Sequence, residues 1–388
     1  MREGKHTKAD LAQMQSLPLS AKIIMTQQRI KRWYESWKRY EIVNQKTGKS
    51  RFVTAVEEPQ LKPDEYIDSV IDGQVYVSFS GGKDSTVLLH LVRDLYPDVE
   101  AVFVNTGLEY PEIQKFAMSQ KNVITVRPEM RFDEVIKKYG YPIISKDVAH
   151  KVHDANSARR NGNFNSCAER QFNGTYISKN GKSNLNNVEK WKFLLDASFR
   201  ISHSCCDVMK KRPAKAYEKE TGKKPFIGTL ACESLLREQQ WLKNGCNAFD
   251  SKRPVSNPMS FWTEQDVLQY IKEYDIPIAS VYGDVVYAKN PEQMRLDDCN
   301  VNCGTEKLTT TGCKRTGCIF CGFGCHLDKE PTRFQRLKET HPKQYKYCLG
   351  GGEYDENGVW KPNKDGLGMK HIFDEMNGIY GDGFIKYE

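Results

Sequence analysis

The 388-residue chain contains no apolar run approaching the roughly 20 residues that a bilayer-spanning helix requires, so no such helix is expected. No apolar segment follows the charged start "MREGKHTKAD", so no signal peptide is expected and the expected compartment is the cytoplasm. No internal repeat is present, which argues against a solenoid or propeller. Two segments, "TGKS" at 47–50 and "NGKS" at 180–183, imitate the end of a Walker loop. Both lack its earlier glycine, so both are set aside. The chain is not poor in apolar residues. Hydrophobic residues make up 39% and charged residues 28%, which suits a packed core and excludes a disordered chain. The net charge of +8 suits a polyanionic ligand without choosing between a nucleotide and a nucleic acid. Twelve cysteines are many for a reducing compartment, where clustered thiols bind metal or carry redox chemistry.

The segment "LSAKIIMTQQRIKRWYESWKRY" places Ile23, Ile30, Trp33 and Trp37 on one helical face, with Ser20 as its cap. Its basic residues read as a solvated face in preference to a nucleic-acid contact. Residues 41–74 are polar and read as an insertion or linker. From Val75 the pattern alternates: "VYVSF" strand, "DSTVLLHLVRDL" helix, "AVFVN" strand, "PEIQKFAMSQ" helix, "NVITV" strand, "RFDEVIKKYG" helix. That order predicts an α/β fold, a parallel twisted sheet with helices on both faces. Ligands of such sheets bind at the carboxyl ends of the strands. The expected domains are 1–74, an N-terminal helix with a polar insertion; 75–290, a nucleotide-binding domain; and 291–388, a small cysteine-rich subdomain with a tail. Residues 150–200, rich in Asn, Gly and Lys, read as a lid or insertion within the middle domain.

The turn "SFSGGKDSTV" carries the sharpest signal. Gly81 and Gly82 let the backbone approach a ligand, and the following helix aims free N–H groups into the turn. Ser80, Ser85 and Thr86 add hydroxyls, and Lys83 adds a cation. Asp84 is the odd member of an anion site, and it either holds Mg²⁺ or orients the lysine.

"SGGKDS" after a strand resembles the loop of the PP-loop ATP-pyrophosphatase superfamily. Over most of residues 75–325 the chain resembles one branch, the phosphoadenosine phosphosulfate (PAPS) reductase family. "VNTGLEYPE", "HSCCDVMKKRP", "IGTLACESLLREQQW", "NPMSFWTEQDVLQYIKEYDIPIASVY" and "TGCIFC" carry the resemblance in the family's order, with Asn105 where the family has aspartate. The resemblance implies a Rossmann-like nucleotide fold with an adenine nucleotide held by Ser80, Gly81, Gly82, Lys83, Asp84 and Ser85. Asn105, Thr106 and Gly107 are expected near the adenosine. Gly228, Glu233, Ser234 and Arg237 come from the later motif. Arg237 either grips a phosphate or sulfate or pairs with Glu233 four residues earlier. Lys83, Asp84 and Arg237 are the expected catalytic set.

In the family's iron–sulfur members a [4Fe–4S] cluster is held at the positions of Cys205, Cys206, Cys318 and Cys321, with Lys210, Lys211 and Arg212 nearby to offset its charge. The C-x₄-C-x₂-C-x₃-C spacing supports an alternative set, Cys313, Cys318, Cys321 and Cys325, holding zinc. Cys167, Cys232, Cys246, Cys299 and Cys303 read singly as buried or incidental.

Three functions stay open. The family's reductases carry a Glu-Cys-Gly-(Leu or Ile)-His tail signature; here the last cysteine is Cys348 in "YKYCLGGGE". The complete loop and the missing signature favour ATP-dependent sulfur transfer to a nucleic acid or small acceptor, with Mg²⁺ and a sulfur-donor protein as partners. The alternatives are a sulfonucleotide reductase served by a thioredoxin-type reductant, and a silent nucleotide-binding module of a nucleic-acid complex.

Overall fold

The computed structural model describes residues 6–57, 60–178, 181, 187–288 and 307–388. The chain divides into two compact units. The first takes Met1–Asn105, Tyr110–Val126 and Ala214–Thr316; the second takes Thr106–Glu109, Arg127–Pro213 and Gly317–Glu388.

The first unit is built on a six-stranded sheet. Its order is Val123–Val126, Ala101–Val104, Val75–Phe79, Lys224–Ile227, Val255–Ser256 and Asn247–Ala248. The first five strands run parallel and the last is antiparallel. A strand covered on both faces needs apolar residues at consecutive positions, and Val75, Tyr76 and Val77 are all buried. Val75, Val77 and Phe79 join a core with Leu88, Leu91 and Val92 of the helix Lys83–Leu95 and with Ile30 and Trp33 of the helix Leu19–Ser36. Tyr76 packs with Val102 and Tyr217, the last from the helix Arg212–Thr221. Helices therefore flank the parallel sheet, as the alternating pattern predicts. Chain order reverses between Val75–Phe79 and Lys224–Ile227, so the ligand crevice of such a sheet opens beyond Phe79 and Ile227.

The segment expected as a linker is a three-stranded antiparallel sheet, with Arg39–Asn44 between Ser50–Thr54 and Glu65–Ile71. Much of it is exposed, so its β-formers alternate with charges and the polar half hides the period. The basic early helix follows its packing reading. Ile30 and Trp33 are fully buried, and the Arg29 guanidinium lies 4.8 Å over the Phe261 ring. Pro18, not Ser20, stands at its N-cap.

In the second unit, Gly140 ends the helix Phe132–Tyr139 at φ +110°, a backbone only glycine adopts without strain. Ile143–Ile144 pairs in parallel with Gly322–Phe323, and the Tyr141 hydroxyl donates to the Leu367 carbonyl at 2.7 Å. Those bonds tie the cysteine-rich segment to residues 127–213, so it does not form the separate subdomain expected from 291. The expected boundary at 290/291 lies outside the described residues, as do Cys299, Cys303 and most of "NGKS". The expected lid contains the rest of the helix Lys146–Arg160, the helix Cys167–Phe172 and the 3₁₀ turn Glu189–Leu195. No helix among the described residues is long and apolar enough to cross a membrane.

One buried ion pair fastens the first unit. Lys22 Nζ donates to both carboxylate oxygens of Asp266, at 2.8 and 2.7 Å, and to the Gln15 carbonyl at 2.7 Å. Lys22→Met leaves Asp266 charged, buried and unpaired. It is expected to cost about 3–5 kcal/mol, read as a lowered urea midpoint with an unchanged slope.

Candidate functional site

The strand Val75–Phe79 delivers Ser80 to the crevice. Gly81 has φ +72°, and a Cβ there would meet Ile113 Cγ2 at 2.9 Å, so conformation and space both call for glycine. Gly82 caps the helix Lys83–Leu95. Three N–H groups of the turn are answered by hydroxyl oxygens. Ser80 N donates to Ser85 Oγ at 3.2 Å, Gly82 N to Ser80 Oγ at 3.3 Å, and Lys83 N to Tyr282 OH at 3.3 Å. Oxygen acceptors thus already sit around the helix head, where an anion's oxygens can take their place without leaving a donor bare. Ser85 and Thr86 hydroxyls donate to the Gly82 carbonyl at 2.9 and 3.0 Å and hold the turn.

Lys83 is almost wholly buried, and its ammonium donates to Glu264 Oε1 and to the Lys314 carbonyl, both at 3.0 Å. Burial raises the Asp84 carboxyl above its ordinary range, against the pull of Lys83, Arg315 and Arg237. The turn therefore keeps a cation and a hard-to-ionise carboxyl side by side. Gly228, at the end of the neighbouring strand, completes the crevice wall. A Cβ on it would lie 3.0 Å from the Asp84 carbonyl oxygen and 3.2 Å from Ser85 Cα. Gly228→Ala is expected to push the turn out of shape and weaken ATP binding about tenfold or more, read by equilibrium dialysis. An unchanged affinity would show that the turn tolerates the displacement.

The later motif folds onto the same crevice. Ser234 caps the helix Leu235–Asn244 by accepting from Arg237 N at 3.3 Å. Glu233 is gripped by Arg237 and, at 3.1 Å, by Arg315. Burial, and then the charge of Arg315, lower the Arg237 pKa. Two guanidiniums held on one carboxylate are a ready receptor for a second anionic oxygen. Of the two readings of Arg237 the structure shows the pairing with Glu233, and the residue also lies within electrostatic reach of Asp84. Cys232 is exposed, within electrostatic reach of Arg315 and Glu264.

Sequence reasoning missed Glu264, Tyr282, Arg315 and the Cys232 placement. The basic pair Lys314–Arg315 just before "TGCIFC" was the available signal for Arg315. Nothing local marks Glu264, which is one of two carboxylates in the first turn of an ordinary capped helix. Asn105 lies in the first unit, where its side chain accepts from Gln114 Nε2 at 2.9 Å. Thr106 and Gly107 belong to the second unit. There Thr106 N and Oγ1 donate to the two oxygens of Glu109, at 3.1 and 2.7 Å.

The thiols of Cys205, Cys206, Cys318 and Cys321 lie in the second unit within electrostatic reach of one another. Burial raises Cys205 and Cys321, and it pushes Cys318 up to about 11 against the charge of Lys210. Lys210 also approaches Glu109 at 3.8 Å. Arg333 and Lys146 face Cys321, and Arg333 donates to the Cys321 and Phe323 carbonyls at 3.0 and 2.9 Å. Lys210, Arg333 and Lys146 thus bring positive charge near these thiols, while burial favours the neutral form of Cys205, Cys318 and Cys321. No three His, Cys, Asp or Glu side chains among the described residues are gathered so as to hold a single metal ion. The alternative zinc set divides between the units, with Cys313 in the first and Cys318, Cys321 and Cys325 in the second. Cys348 is fully buried, its sulfur 3.4 Å from Met369 Sδ, and burial raises its pKa. A thiol so placed is unsuited to act as a mobile nucleophile.

The phosphoadenosine phosphosulfate reductase domain family matches residues 74–158 and 163–322. An uncharacterized protein of Methanocaldococcus jannaschii is 36% identical over 72 residues, which are 18% of this chain and 18% of the relative. A second uncharacterized protein of that organism is 42% identical over 74 residues, 18% of this chain and 15% of the relative. The matches span under a fifth of either relative's length. A solved phosphoadenylyl-sulfate reductase from Candida auris, in a phosphate complex, aligns with 53% of this chain and 75% of its own. Its identity is 17% and its TM-score 0.30.

Proposed function

The chain belongs to the phosphoadenosine phosphosulfate reductase family, whose members are enzymes, and from that premise we propose that it activates an acceptor with ATP for sulfur transfer. The observation that carries this reading is the turn itself: a buried lysine at a helix head, ringed by oxygen acceptors, with two arginines on the same crevice. Such a site suits a polyphosphate. An acceptor oxygen attacks the α-phosphorus, the α–β bond breaks, and pyrophosphate leaves with the electron pair. A sulfur nucleophile then displaces AMP from the acceptor.

In this reading the turn's N–H groups and Lys83 neutralise the charge that grows on the departing pyrophosphate. Asp84 positions Lys83 or holds Mg²⁺, and Arg237 and Arg315 orient the α-phosphate. Asn105, in the same unit as the turn, serves the adenosine. Cys205, Cys206, Cys318 and Cys321 would hold a [4Fe–4S] cluster, which supplies electron or sulfur delivery when bound. The acceptor class is a nucleic acid or a small molecule, and a sulfur-donor protein is the expected partner. The buried Cys348 weighs against the reductase alternative, which needs a mobile thiol late in the chain.

Anaerobic protein incubated with ATP is expected to release pyrophosphate. The same protein with adenylyl or phosphoadenylyl sulfate and thioredoxin is expected to release no sulfite. Sulfite formation would replace this reading with the reductase one.

A further inference from the structure

The unit that holds the phosphate turn also lays a short strap across it. Residues 312–316, "GCKRT", follow the strand Leu308–Thr310 and belong to no helix or strand. The near end of the strap is fastened by backbone. Gly312 N donates to the Tyr282 carbonyl at 2.8 Å, and Cys313 N to that of Val281 at 2.9 Å. A Cβ on Gly312 would lie 2.4 Å from the Val281 carbonyl oxygen, so this close approach requires glycine. Beyond Cys313 the fastening changes. No N–H of Lys314, Arg315 or Thr316 enters a backbone–backbone hydrogen bond among the described residues. Three contacts with the nucleotide crevice hold this far end. The Lys314 carbonyl accepts from Lys83 Nζ at 3.0 Å, Arg315 pairs with Glu233 at 3.1 Å, and the Thr316 and Tyr282 hydroxyls lie 2.5 Å apart.

Two of these contacts occupy donors that a phosphate needs. The Lys83 ammonium is turned to the Lys314 carbonyl, and the Tyr282 hydroxyl that holds Thr316 also accepts from Lys83 N at the helix head. Space is contested too: a Cβ on Gly82 would lie 3.3 Å from Tyr282 OH and 3.9 Å from Thr316 Oγ1. We propose that residues 313–316 are an autoinhibitory strap, seated on the empty turn and unseated by the phosphate chain of ATP. The strap's role rests on the reading that the turn binds ATP. Phosphate oxygens draw the Lys83 ammonium off the Lys314 carbonyl and take the place of the Tyr282 hydroxyl, which releases Thr316. Arg315 stays as the tether, beside Arg237 on Glu233. Nucleotide and seated strap thus exclude each other, and by linkage the effect is mutual: ATP unseats the strap as strongly as the seated strap weakens ATP.

The test is limited trypsin digestion of the full anaerobic chain with and without ATP. Cleavage after Lys314, whose side chain is exposed, is followed by mass spectrometry, with cleavage after the exposed Lys49 as the internal reference. ATP binding is measured on the same preparation by equilibrium dialysis. Saturating ATP is expected to speed cleavage after Lys314 about tenfold, as loss of one or two hydrogen bonds does, and to leave Lys49 unchanged. Tyr282→Phe keeps the ring packed with Ile113 and Ala279 and removes only the hydroxyl; Thr316→Val removes the other. Each variant is expected to be cut faster than the parent without ATP and to bind ATP about threefold to tenfold more tightly, because less of the chain starts closed. Circular dichroism confirms that both fold. ATP bound by the parent with cleavage after Lys314 unchanged or slowed overturns the strap and leaves the nucleotide reading standing. Weaker ATP binding in both variants shows that the two hydroxyls serve the nucleotide, and also overturns the strap. No ATP binding by the parent or either variant overturns the nucleotide reading, and the strap's role with it.

Discussion

A Lys83→Ala chain is expected to release pyrophosphate from ATP about a hundred- to a thousandfold more slowly than the parent, the usual effect of removing one preorganised partner of transition-state charge. The geometry explains why so much depends on one side chain. Lys83 is buried at the helix head, so no water-borne cation replaces it cheaply, and its partners Glu264 and the Lys314 carbonyl fix its direction. In the proposed site Glu264 would compete with a phosphate for the ammonium. Glu264→Gln removes the competing charge and keeps the shape, so it is expected to tighten ATP binding several-fold while Lys83→Ala weakens it. The two variants thus move the dissociation constant in opposite directions. Equal weakening in both would mean that Glu264 serves the nucleotide, through a metal ion or the ribose, and does not compete with it.

If the proposed cluster is present, anaerobic protein is expected to contain iron and acid-labile sulfide and to be coloured, and Cys318→Ser to remove most of all three. The cause is numerical: in the proposed site four thiolates would hold the cluster, and a hydroxyl in a buried site is a poor replacement for one. Cys325→Ser decides between the donor sets. Cys325 is buried, with its thiol pushed up to about 12, and it belongs only to the zinc set. Iron unchanged in Cys325→Ser and lost in Cys318→Ser supports the cluster set. Zinc at one equivalent in the parent, lost in both variants, overturns it.

The sequence was most legible where local pattern and long-range packing agree. "VYVSF" is apolar at every second position and nearly so between, as a strand buried on both faces must be. Thr263, a residue type that favours helix starts, caps the helix Glu264–Glu273 reciprocally with Asp266. Gly81 and Gly228 stand where backbone or space leaves no alternative. Legibility failed where the structure is set by distant partners. The Arg39–Ile71 sheet was hidden because charges occupy much of its exposed surface. Glu264 meets Lys83 across 181 positions of sequence, and no local period encodes such a meeting. Residues 150–200 read as irregular because Asn and Gly dominate their turns, although helices capped by Ser145 and Ser166 run through them.

The parallel pairing of Ile143–Ile144 with Gly322–Phe323 has a bearing on biogenesis. The unit that carries Cys205 and Cys206 is stitched from pieces far apart in the chain, so it cannot close while the ribosome is still translating the middle of the message. The first two thiols emerge long before Cys318 and Cys321 exist to join them. A group that needs all four thiols would therefore be taken up only after Cys318 and Cys321 have been made.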